Sequence, residues 1–169
     1  MGAARVLDTV RHLRVHGVSV WLDGGWAVDA LLGAETRPHD DLDLVARLDE
    51  APRIEQALGE LGYELAGGGP PLSFEMVDRD GHQVDVHPAS ITPAGDGVYR
   101  MTNGADWIYP AEGFRGVGSI LGHEVPCLTP EVVMVNHTTG YALDADHQRD
   151  VLALSARFGI PLPEFETTV

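Results

Sequence analysis

The stretch that decides the fold reads DGGWAVDA at residues 23–30 and continues, after a short loop, as TRPHDDLDL at residues 36–44. Ahead of it, Val, Val and Leu alternate with Ser and Trp over residues 18–22, a period of two that predicts a short strand. Gly24 and Gly25 break that pattern, and residues 26–32 form an apolar run closed by Gly33, which predicts a short helix. The order is therefore strand, glycine turn and helix, with the two glycines at the start of the helix.

Two aspartates stand on the strand predicted next. Asp41 and Asp43 alternate with Leu42 and Leu44, so both carboxylates project from one face, with Cα atoms roughly 6.5–7 Å apart. Such a pair is costly unless a cation compensates it, and hard oxygen ligands suit Mg²⁺. The alternative is an edge strand with a solvated polar face.

A third aspartate strengthens the metal interpretation. Asp85 lies between two valines on a strand predicted at residues 83–87, which follows a hairpin turn at residues 78–81 and ends at Pro88. If this strand is adjacent to the one that carries Asp41 and Asp43, three carboxylates share a face and are suited to hold two Mg²⁺ ions about 4 Å apart. Asp85 could also accept a proton from an attacking hydroxyl.

The glycine turn is a candidate phosphate site. Backbone N–H groups of Gly24 and Gly25 at a helix N-terminus favour anions, and the missing Cβ atoms allow close approach. Arg37 and His39, in the loop before Asp41, are further candidates to contact a nucleotide. A plain turn and exposed loop residues are the alternatives. The chain contains no lysine, so a cation that contacts phosphate here must be Arg, protonated His or a metal.

Three residues are candidates to bind a second substrate. His87 follows Asp85 by two positions and so faces the same side, where it could contact the metal site or hydrogen-bond a carboxylate. His137 and Tyr141 lie four apart on a predicted helix. The acids at positions 144, 146 and 150 could bind a cationic substrate, or they could simply favour a helix N-terminus.

Other segments complete the plan. Helices are expected at residues 3–16, after the cap Asp49 with an apolar stripe at 54–61 and an end at Gly62, from Thr129 to about Tyr141, and at 145–158. Residues 67–71 read as a loop, residues 89–118 as weak strands at best, and residues 119–125 as a short strand. The expected fold class is α/β (α+β): a short mixed sheet flanked by helices over residues 1–126, with a small helical C-terminal part at residues 127–169 in the same compact unit.

Composition limits the partners. The 169 residues carry a formal net charge of −15, which argues against nucleic acid and against anionic membranes. No apolar run approaches the roughly 20 residues that span a bilayer, and the start of the chain reads as an amphipathic helix rather than a signal peptide. With a single cysteine, Cys127, no internal disulfide can form. We therefore expect a cytoplasmic protein with small-molecule partners.

The two quoted stretches together resemble the antibiotic nucleotidyltransferases of the polymerase-beta-like superfamily, which include aminoglycoside 2''-adenylyltransferases and lincosamide nucleotidyltransferases. The segments at residues 85–88 and 126–131 are similar to the lincosamide enzymes, whereas the acidic Asp40 is typical of the aminoglycoside enzymes. The resemblance implies the nucleotidyltransferase fold, metal ligation by Asp41 and Asp43, and a role for Asp85 as ligand or general base. It also implies contacts between the triphosphate and Gly24, Gly25 and Arg37.

The implied reaction is Mg²⁺-dependent transfer of a nucleoside monophosphate from a triphosphate, ATP first, to a hydroxyl of a small antibiotic. A lincosamide is the first expectation for the acceptor and an aminoglycoside the second. The alternatives are nucleotidyl transfer to a protein hydroxyl, as in antitoxins that modify toxins, and Mg²⁺-dependent phosphodiester hydrolysis. A homodimer that shares the acceptor pocket is a further expectation from the resemblance.

Overall fold

The structure is a computed structural model that describes residues 1–139 and 144–162. Its helices are α1 (Ala3–Val15), α2 (Gly24–Leu32), α3 (Ala51–Glu60), α4 (Pro130–Thr138) and α5 (Ala145–Phe158). Its strands are β1 (Val20–Leu22), β2 (Asp41–Arg47), β3 (Tyr63–Gly68), β4 (Phe74–Asp78), β5 (Gln83–Ile91), β6 (Gly97–Arg100), β7 (Asp106–Tyr109), β8 (Val117–Ile120) and β9 (His123–Pro126). Among the described residues, no helix combines the length and the apolar character needed to cross a membrane.

The main sheet is mixed, as the sequence predicted. Its central path runs β1-β2-β5-β4-β3, and β6 and β7 extend it from the far end of β5. The β2–β5 pair is parallel, whereas the other pairs are antiparallel. The helices α2, α4 and α5 contact one another, and α2 also contacts β2. The expected mixed sheet with flanking helices is thus confirmed; the division at residue 126 stays a prediction.

The alternation predicted for the aspartate strand is present in β2. Leu42 and Leu44 are fully buried in the core, whereas Asp41 and Asp43 are half-buried on the opposite face. The leucines therefore anchor the strand through burial of apolar surface, and the aspartates point away from that core.

The prediction that Pro88 ends its strand was wrong. β5 continues to Ile91, and Pro88 lies opposite Ala46 of β2. Proline is tolerated because the β4 ladder has already ended at Val86, so no hydrogen bond is lost on that side. The extra length lets β5 pair with β6, which builds one wall of the site described below.

The glycine-rich loop prediction was partly wrong as well. Gly67 and Gly68 belong to β3, which has a register shift between Leu65 and Gly67. Gly68 has φ +72°, and a Cβ there would lie 2.1 Å from the Ser73 carbonyl oxygen. Only glycine permits this left-handed conformation and the close contact with the backbone of Ser73. The glycines that suggested a loop therefore form the end of a strand that contains a bulge.

Three other local predictions need correction. Residues 117–126 form the β8–β9 hairpin instead of one strand, whereas the weak strands expected within residues 89–118 are present as β6 and β7, which pair as a second hairpin. Asp49 forms an ion pair with Arg47 and does not cap α3, which begins at Ala51 after a short 3₁₀ turn. Helix α4 ends at Thr138; Tyr141 lies outside the described residues.

Candidate active site

The parallel pairing of β2 and β5 brings three carboxylates together. Asp43 lies directly opposite Asp85 in the ladder, and one carboxylate oxygen from each of Asp41, Asp43 and Asp85 lies within 4.8 Å of the other two. The condition set by the sequence, that the two strands be adjacent, is therefore met.

The electrostatics of this cluster resist full ionisation. Burial, and then the neighbouring charge of Asp43, raise the pKa of Asp41. Burial raises the pKa of Asp85 to about 6 against a hydrogen bond from Gln83 that lowers it, and the charges of Asp43 and Asp41 add to the rise. Three half-buried carboxylates at this separation repel one another, so a bound cation would stabilise their charged forms.

The start of α2 lies directly against the cluster. Gly24 has φ +58°, and a Cβ on it would lie 2.1 Å from Oδ2 of Asp43. A Cβ on Gly25 would lie 2.4 Å from Nδ1 of His39 and 2.6 Å from Nη2 of Arg37. Both glycines are needed because side chains of the site pack onto the helix N-terminus, and the phosphate access that the sequence suggested stays a prediction.

Asp23 is a site residue that the sequence interpretation did not single out. It caps α2, accepting a hydrogen bond from Gly24 N at 2.9 Å, and its other oxygen accepts one from Asn136 Nδ2 at 2.7 Å. Burial, opposed by the Asn136 hydrogen bond and reinforced by the charge of Asp43, raises its pKa. Its position just before Gly24 was the available signal, since an aspartate there is a favoured N-cap.

The loop before β2 is organised by Asp29. One oxygen of Asp29 accepts hydrogen bonds from the backbone N and the hydroxyl of Thr36, and the other lies 2.5 Å from Nε2 of His39. His39 is buried, and its ring packs 4.7 Å from the ring of Trp26. His39 is thus a paired internal histidine, although its ring still lines the cavity beside Gly25.

Arg37 is held by a residue distant in sequence. Its guanidinium contacts the buried carboxylate of Asp150 on α5, with Nη2–Oδ2 at 2.8 Å and Nε–Oδ1 at 3.4 Å. The same carboxylate lies 3.4 Å from Nε2 of His137 on α4. Burial opposes the charge of Asp150, but His137 and Arg37 outweigh it and lower its pKa.

The acidic residues at the start of α5 and within it form contacts inside the protein, as expected for the alternative to a cationic-substrate site. Asp144 caps the helix, accepting hydrogen bonds from the backbone N of Asp146 and His147, and Asp146 pairs with Arg149. Together with the internal ion pair of Asp150, these contacts give each of the three carboxylates a partner within the protein. Helical periodicity alone did not indicate which of the three is buried.

A cavity of about 600 Å³ opens beside the aspartates. Nε2 of His87 lies 3.6 Å from Oδ1 of Asp43, and its ring meets the ring of Tyr99 edge-on at 5.4 Å. Burial disfavours a charge on His87, but Asp43 outweighs it and raises the pKa of His87. The residues that line the cavity come from six parts of the chain: Asp23, Gly24, Gly25, Arg37, His39, Asp41, Asp43, His87, Tyr99, Met101, Asn103, Trp107, Tyr109, Asn136, His137, Thr139 and His147.

Comparison with known sequences identifies close relatives. The family model described as aminoglycoside-2''-adenylyltransferase matches residues 5–154. A lincosamide resistance protein from Staphylococcus haemolyticus is 27% identical over 143 residues, which cover 84% of this chain and 86% of that protein. A 2''-aminoglycoside nucleotidyltransferase from Klebsiella pneumoniae is 44% identical over 116 residues, which cover 68% of this chain and 60% of that protein.

Solved structures show the same architecture. The lincomycin-bound crystal structure of the lincosamide antibiotic adenylyltransferase LnuA matches with a TM-score of 0.74 and 26% identity, covering 90% of this chain and 93% of that one. ANT(2'')-Ia in complex with adenylyl-2''-tobramycin matches with a TM-score of 0.72 at 20% identity, covering 91% and 87%, and this likeness shows the fold alone. The resemblance seen in the sequence is confirmed: the chain belongs to the aminoglycoside-2''-adenylyltransferase family and is a nucleotidyltransferase.

Proposed function

We propose that this protein transfers a nucleoside monophosphate from Mg²⁺-bound ATP to a hydroxyl of a small antibiotic. The observation that carries the proposal is the convergence of the carboxylates of Asp41, Asp43 and Asp85 beside the N-terminus of α2, at the edge of a cavity large enough for a small-molecule substrate. The family gives the reaction class; the metal, the nucleotide and the acceptor are our inference.

The carboxylate cluster fits a magnesium site. Its donors are hard oxygens, three of them lie within 4.8 Å of one another, and burial, followed by the charges of neighbouring carboxylates, raises the pKa values of Asp41 and Asp85. We infer that Asp41, Asp43 and Asp85 hold up to two Mg²⁺ ions. Bound there, Mg²⁺ would neutralise triphosphate charge and lower the pKa of the attacking hydroxyl.

Asp85 is the proposed general base. Its carboxylate lies on the strand beside Asp43 and within 4.8 Å of the two other carboxylates, where it can accept a proton from a hydroxyl that the metal polarises. In the proposed step the acceptor hydroxyl loses its proton to Asp85 as its oxygen bonds to the α-phosphorus. The bond from that phosphorus to the bridging oxygen breaks, and pyrophosphate leaves.

The N-terminus of α2 and Arg37 are the proposed phosphate contacts. The helix dipole and the half-buried backbone of Gly24 and Gly25 favour anions at this point. Two N–H groups of Arg37 are used on Asp150, which orients the guanidinium at the cavity wall and leaves other donors of the fork for phosphate oxygens. His39 supports this wall from behind Gly25.

A lincosamide is the acceptor that we propose first. The acidic side chains among the described lining residues are Asp23, which is bonded to Asn136, and the two metal ligands Asp41 and Asp43. The wall formed by β6 and β7 instead presents Tyr99 and Trp107, together with other aromatic, thioether and amide groups. Such a wall suits an antibiotic with one basic nitrogen and apolar parts better than a polycation, which gains from several free carboxylates.

An aminoglycoside is the second candidate, supported by the matching family model and by the 44% identity to the Klebsiella pneumoniae enzyme. His87 and His137 lie on the cavity wall and are the side chains that we propose as acceptor contacts. Tyr141 is also proposed to bind the acceptor, but it lies outside the described residues.

We also propose that the reaction takes place in the cytoplasm, where ATP and Mg²⁺ are present. Light scattering would test the proposed homodimer.

One assay tests the proposal. The purified chain is incubated with Mg²⁺ and each of the four ribonucleoside triphosphates against a panel of lincosamides and aminoglycosides, and products are weighed by mass spectrometry. We expect an antibiotic mass increased by one nucleoside monophosphate, with ATP the preferred donor. The absence of any such product across both classes of antibiotic would contradict an antibiotic acceptor. Addition of a nucleoside monophosphate to a co-purified protein would indicate a protein nucleotidyltransferase. Release of nucleoside monophosphate without an acceptor would indicate phosphodiester hydrolysis.

A further inference from the structure

Two histidines and a glutamate meet at the junction of α1 and α3, on elements that contribute no residue to the cavity. His12 and His16 are four residues apart on α1, a spacing that places both rings on one helix face, and their ring centroids lie 4.3 Å apart. Glu60, the last residue of α3, points at both rings. One ligand atom from each residue lies within 4.8 Å of the others.

The hydrogen bonds leave electron pairs facing one another. Nδ1 of His16 lies 2.9 Å from the carbonyl oxygen of His12, and because a carbonyl only accepts, this nitrogen carries the proton. In the neutral ring, Nε2 therefore presents a lone pair to Oε2 of Glu60, which lies 3.0 Å away. Two lone pairs at this distance repel unless a cation, either a proton or a metal ion, lies between them.

His12 supplies a third donor to the same point. Its Nε2 is buried, lies 3.5 Å from Oε2 of Glu60, and has no hydrogen-bond partner among residues 1–139 and 144–162. A buried polar atom without a partner is costly, so a ligand that pairs with it would stabilise the protein. Protonating both rings would place two positive charges side by side, whereas one metal ion would satisfy all three donors.

Two of the ligand separations are close to those around a tetrahedral ion. Zinc bonds to histidine nitrogen and carboxylate oxygen are about 2.0–2.2 Å long, so neighbouring ligand atoms in a tetrahedron lie roughly 3.3–3.6 Å apart. The separations of 3.0 and 3.5 Å from Oε2 of Glu60 to the two histidine nitrogens are close to that range. The hydrogen bond from His16 Nδ1 to a backbone carbonyl is the contact that usually orients a metal-bound histidine.

We propose that His12, His16 and Glu60 form a zinc site, with water as the fourth ligand, that links α1 to α3. Two imidazoles and one carboxylate favour Zn²⁺ and its transition-metal neighbours over Mg²⁺, so this site and the aspartate cluster select different ions. The ion binds the folded chain, where the two helices meet, and so stabilises the native state.

Another group of possible metal ligands differs from the proposed zinc site in that its carboxylate is already paired. Asp78, Asp80 and His82 also bring possible ligands together, but Asp78 already pairs with Arg5 at 3.0 Å and accepts hydrogen bonds from the backbone N of Asp80 and His82. The arginine already neutralises that carboxylate. A variant at His82 therefore serves as a matched control for the zinc site.

The test is thermal unfolding of the full chain, without a polyhistidine tag, titrated with Zn²⁺ in millimolar Mg²⁺ that occupies the aspartate cluster. At a hundredfold excess over Kd we expect Tm to rise by about 5–10 °C. Calorimetric titration is expected to give one zinc ion per chain. His16→Ala and Glu60→Gln should lose the rise in Tm, whereas His82→Ala should keep it.

Each outcome decides the proposal. A rise that survives in both His16→Ala and Glu60→Gln, or that disappears in His82→Ala, places the ion elsewhere and overturns it, as does the absence of any rise in the unaltered chain. Circular dichroism without metal shows whether a variant is folded. If His16→Ala does not fold, Glu60→Gln alone tests the site, because it alters a half-exposed side chain. Nucleotidyl transfer by these variants in Mg²⁺ should stay unchanged, so this test is independent of the proposed function.

Discussion

Arg37 and Asp150 are 113 residues apart in sequence, yet their side chains meet at 2.8 Å at the edge of the cavity. Asp150 is almost fully buried on α5, and Arg37 leads into the aspartate strand β2. The pair therefore couples the position of the C-terminal helix to the proposed phosphate-binding arginine. Because His137 contacts the same carboxylate, one side chain orients two residues of the cavity wall.

Replacing Asp150 should weaken both stability and nucleotide binding. Asp150→Asn removes a buried charge and leaves the Arg37 guanidinium, which is 18% exposed, without its partner, a loss of about 3 kcal/mol in the free energy of unfolding. With Arg37 no longer oriented, we expect KM for ATP to rise about tenfold. Urea unfolding and steady-state kinetics measure the two effects. Asp146→Asn, which alters an exposed acid on the same helix, should change neither, and an unchanged KM in Asp150→Asn would contradict the orienting role.

Replacing Asp85 should remove turnover and leave the fold intact. Asp85→Asn keeps the size of a half-buried side chain and removes the proposed proton acceptor, so we expect kcat to fall by at least about 100-fold. The control is Glu75→Gln, which alters the exposed carboxylate directly opposite Asp85 on β4 and should retain activity. Mass spectrometry of the modified antibiotic gives the rates, and an active Asp85→Asn enzyme would refute the role as general base.

Gly24→Ala should inactivate the enzyme because the added Cβ collides with Asp43. Gly24 and Gly33 both have positive φ, 58° and 73°, so alanine at either position costs about 1–2 kcal/mol of backbone strain. A Cβ at Gly33 meets no atom within 4 Å, whereas one at Gly24 lies 2.1 Å from Oδ2 of Asp43. We therefore expect Gly33→Ala to lose stability alone and Gly24→Ala to lose stability and turnover together. Equal activity of the two variants would show that Asp43 tolerates displacement.

The His137–Asp150 pair should make stability depend on pH. Burial opposes a charge on His137, but Asp150 outweighs it and raises the pKa of His137 above its ordinary value of 6.5. A raised pKa in the folded state means that the stabilisation is fully present below about pH 6.5 and is lost as pH rises through the folded-state value.

The measurement compares Tm of the unaltered chain with that of His137→Gln at about pH 6 and about pH 9. We expect the advantage of the unaltered chain to shrink at the higher pH. His123→Gln, which alters an exposed histidine, provides the control and should show the same difference at both values. If the difference in Tm between the unaltered chain and His137→Gln does not fall as pH rises, His137 and Asp150 do not form an ion pair.

Trp107 should matter for the acceptor and not for ATP. It lies on β7 and lines the cavity, whereas the neighbouring Ile108 is 53% exposed and is absent from the lining residues. Trp107→Ala removes a large contact surface, and we expect KM for the antibiotic to rise about tenfold or more while KM for ATP stays constant. Ile108→Ala should change neither value. A rise in KM for ATP would instead place the nucleotide base against this wall.

Local patterns predicted the central unit of the site correctly. The turn at Gly24 and the alternation around Asp41 and Asp43 depend on periodicity and glycine conformation, which neighbouring residues determine. Predictions failed where distant partners decide. Pro88 stays in β5 because β4 has ended, and Asp49 pairs with Arg47 instead of capping α3. Neither relationship can be read from a window of a few residues.

The sequence by itself determined which residues we propose for the chemistry. A strand, two glycines, a helix and a second strand with Asp41 and Asp43 are specified within residues 18–44, and that short span is enough to recognise the family. Only the tertiary structure decided how Asp85 and Asp150 join them. The parallel register of β2 and β5 sets Asp85 beside Asp43, and the packing of α5 against α2 buries Asp150 next to Arg37. Pairing and packing of this kind depend on the surface buried by the whole chain, so no local segment can specify them.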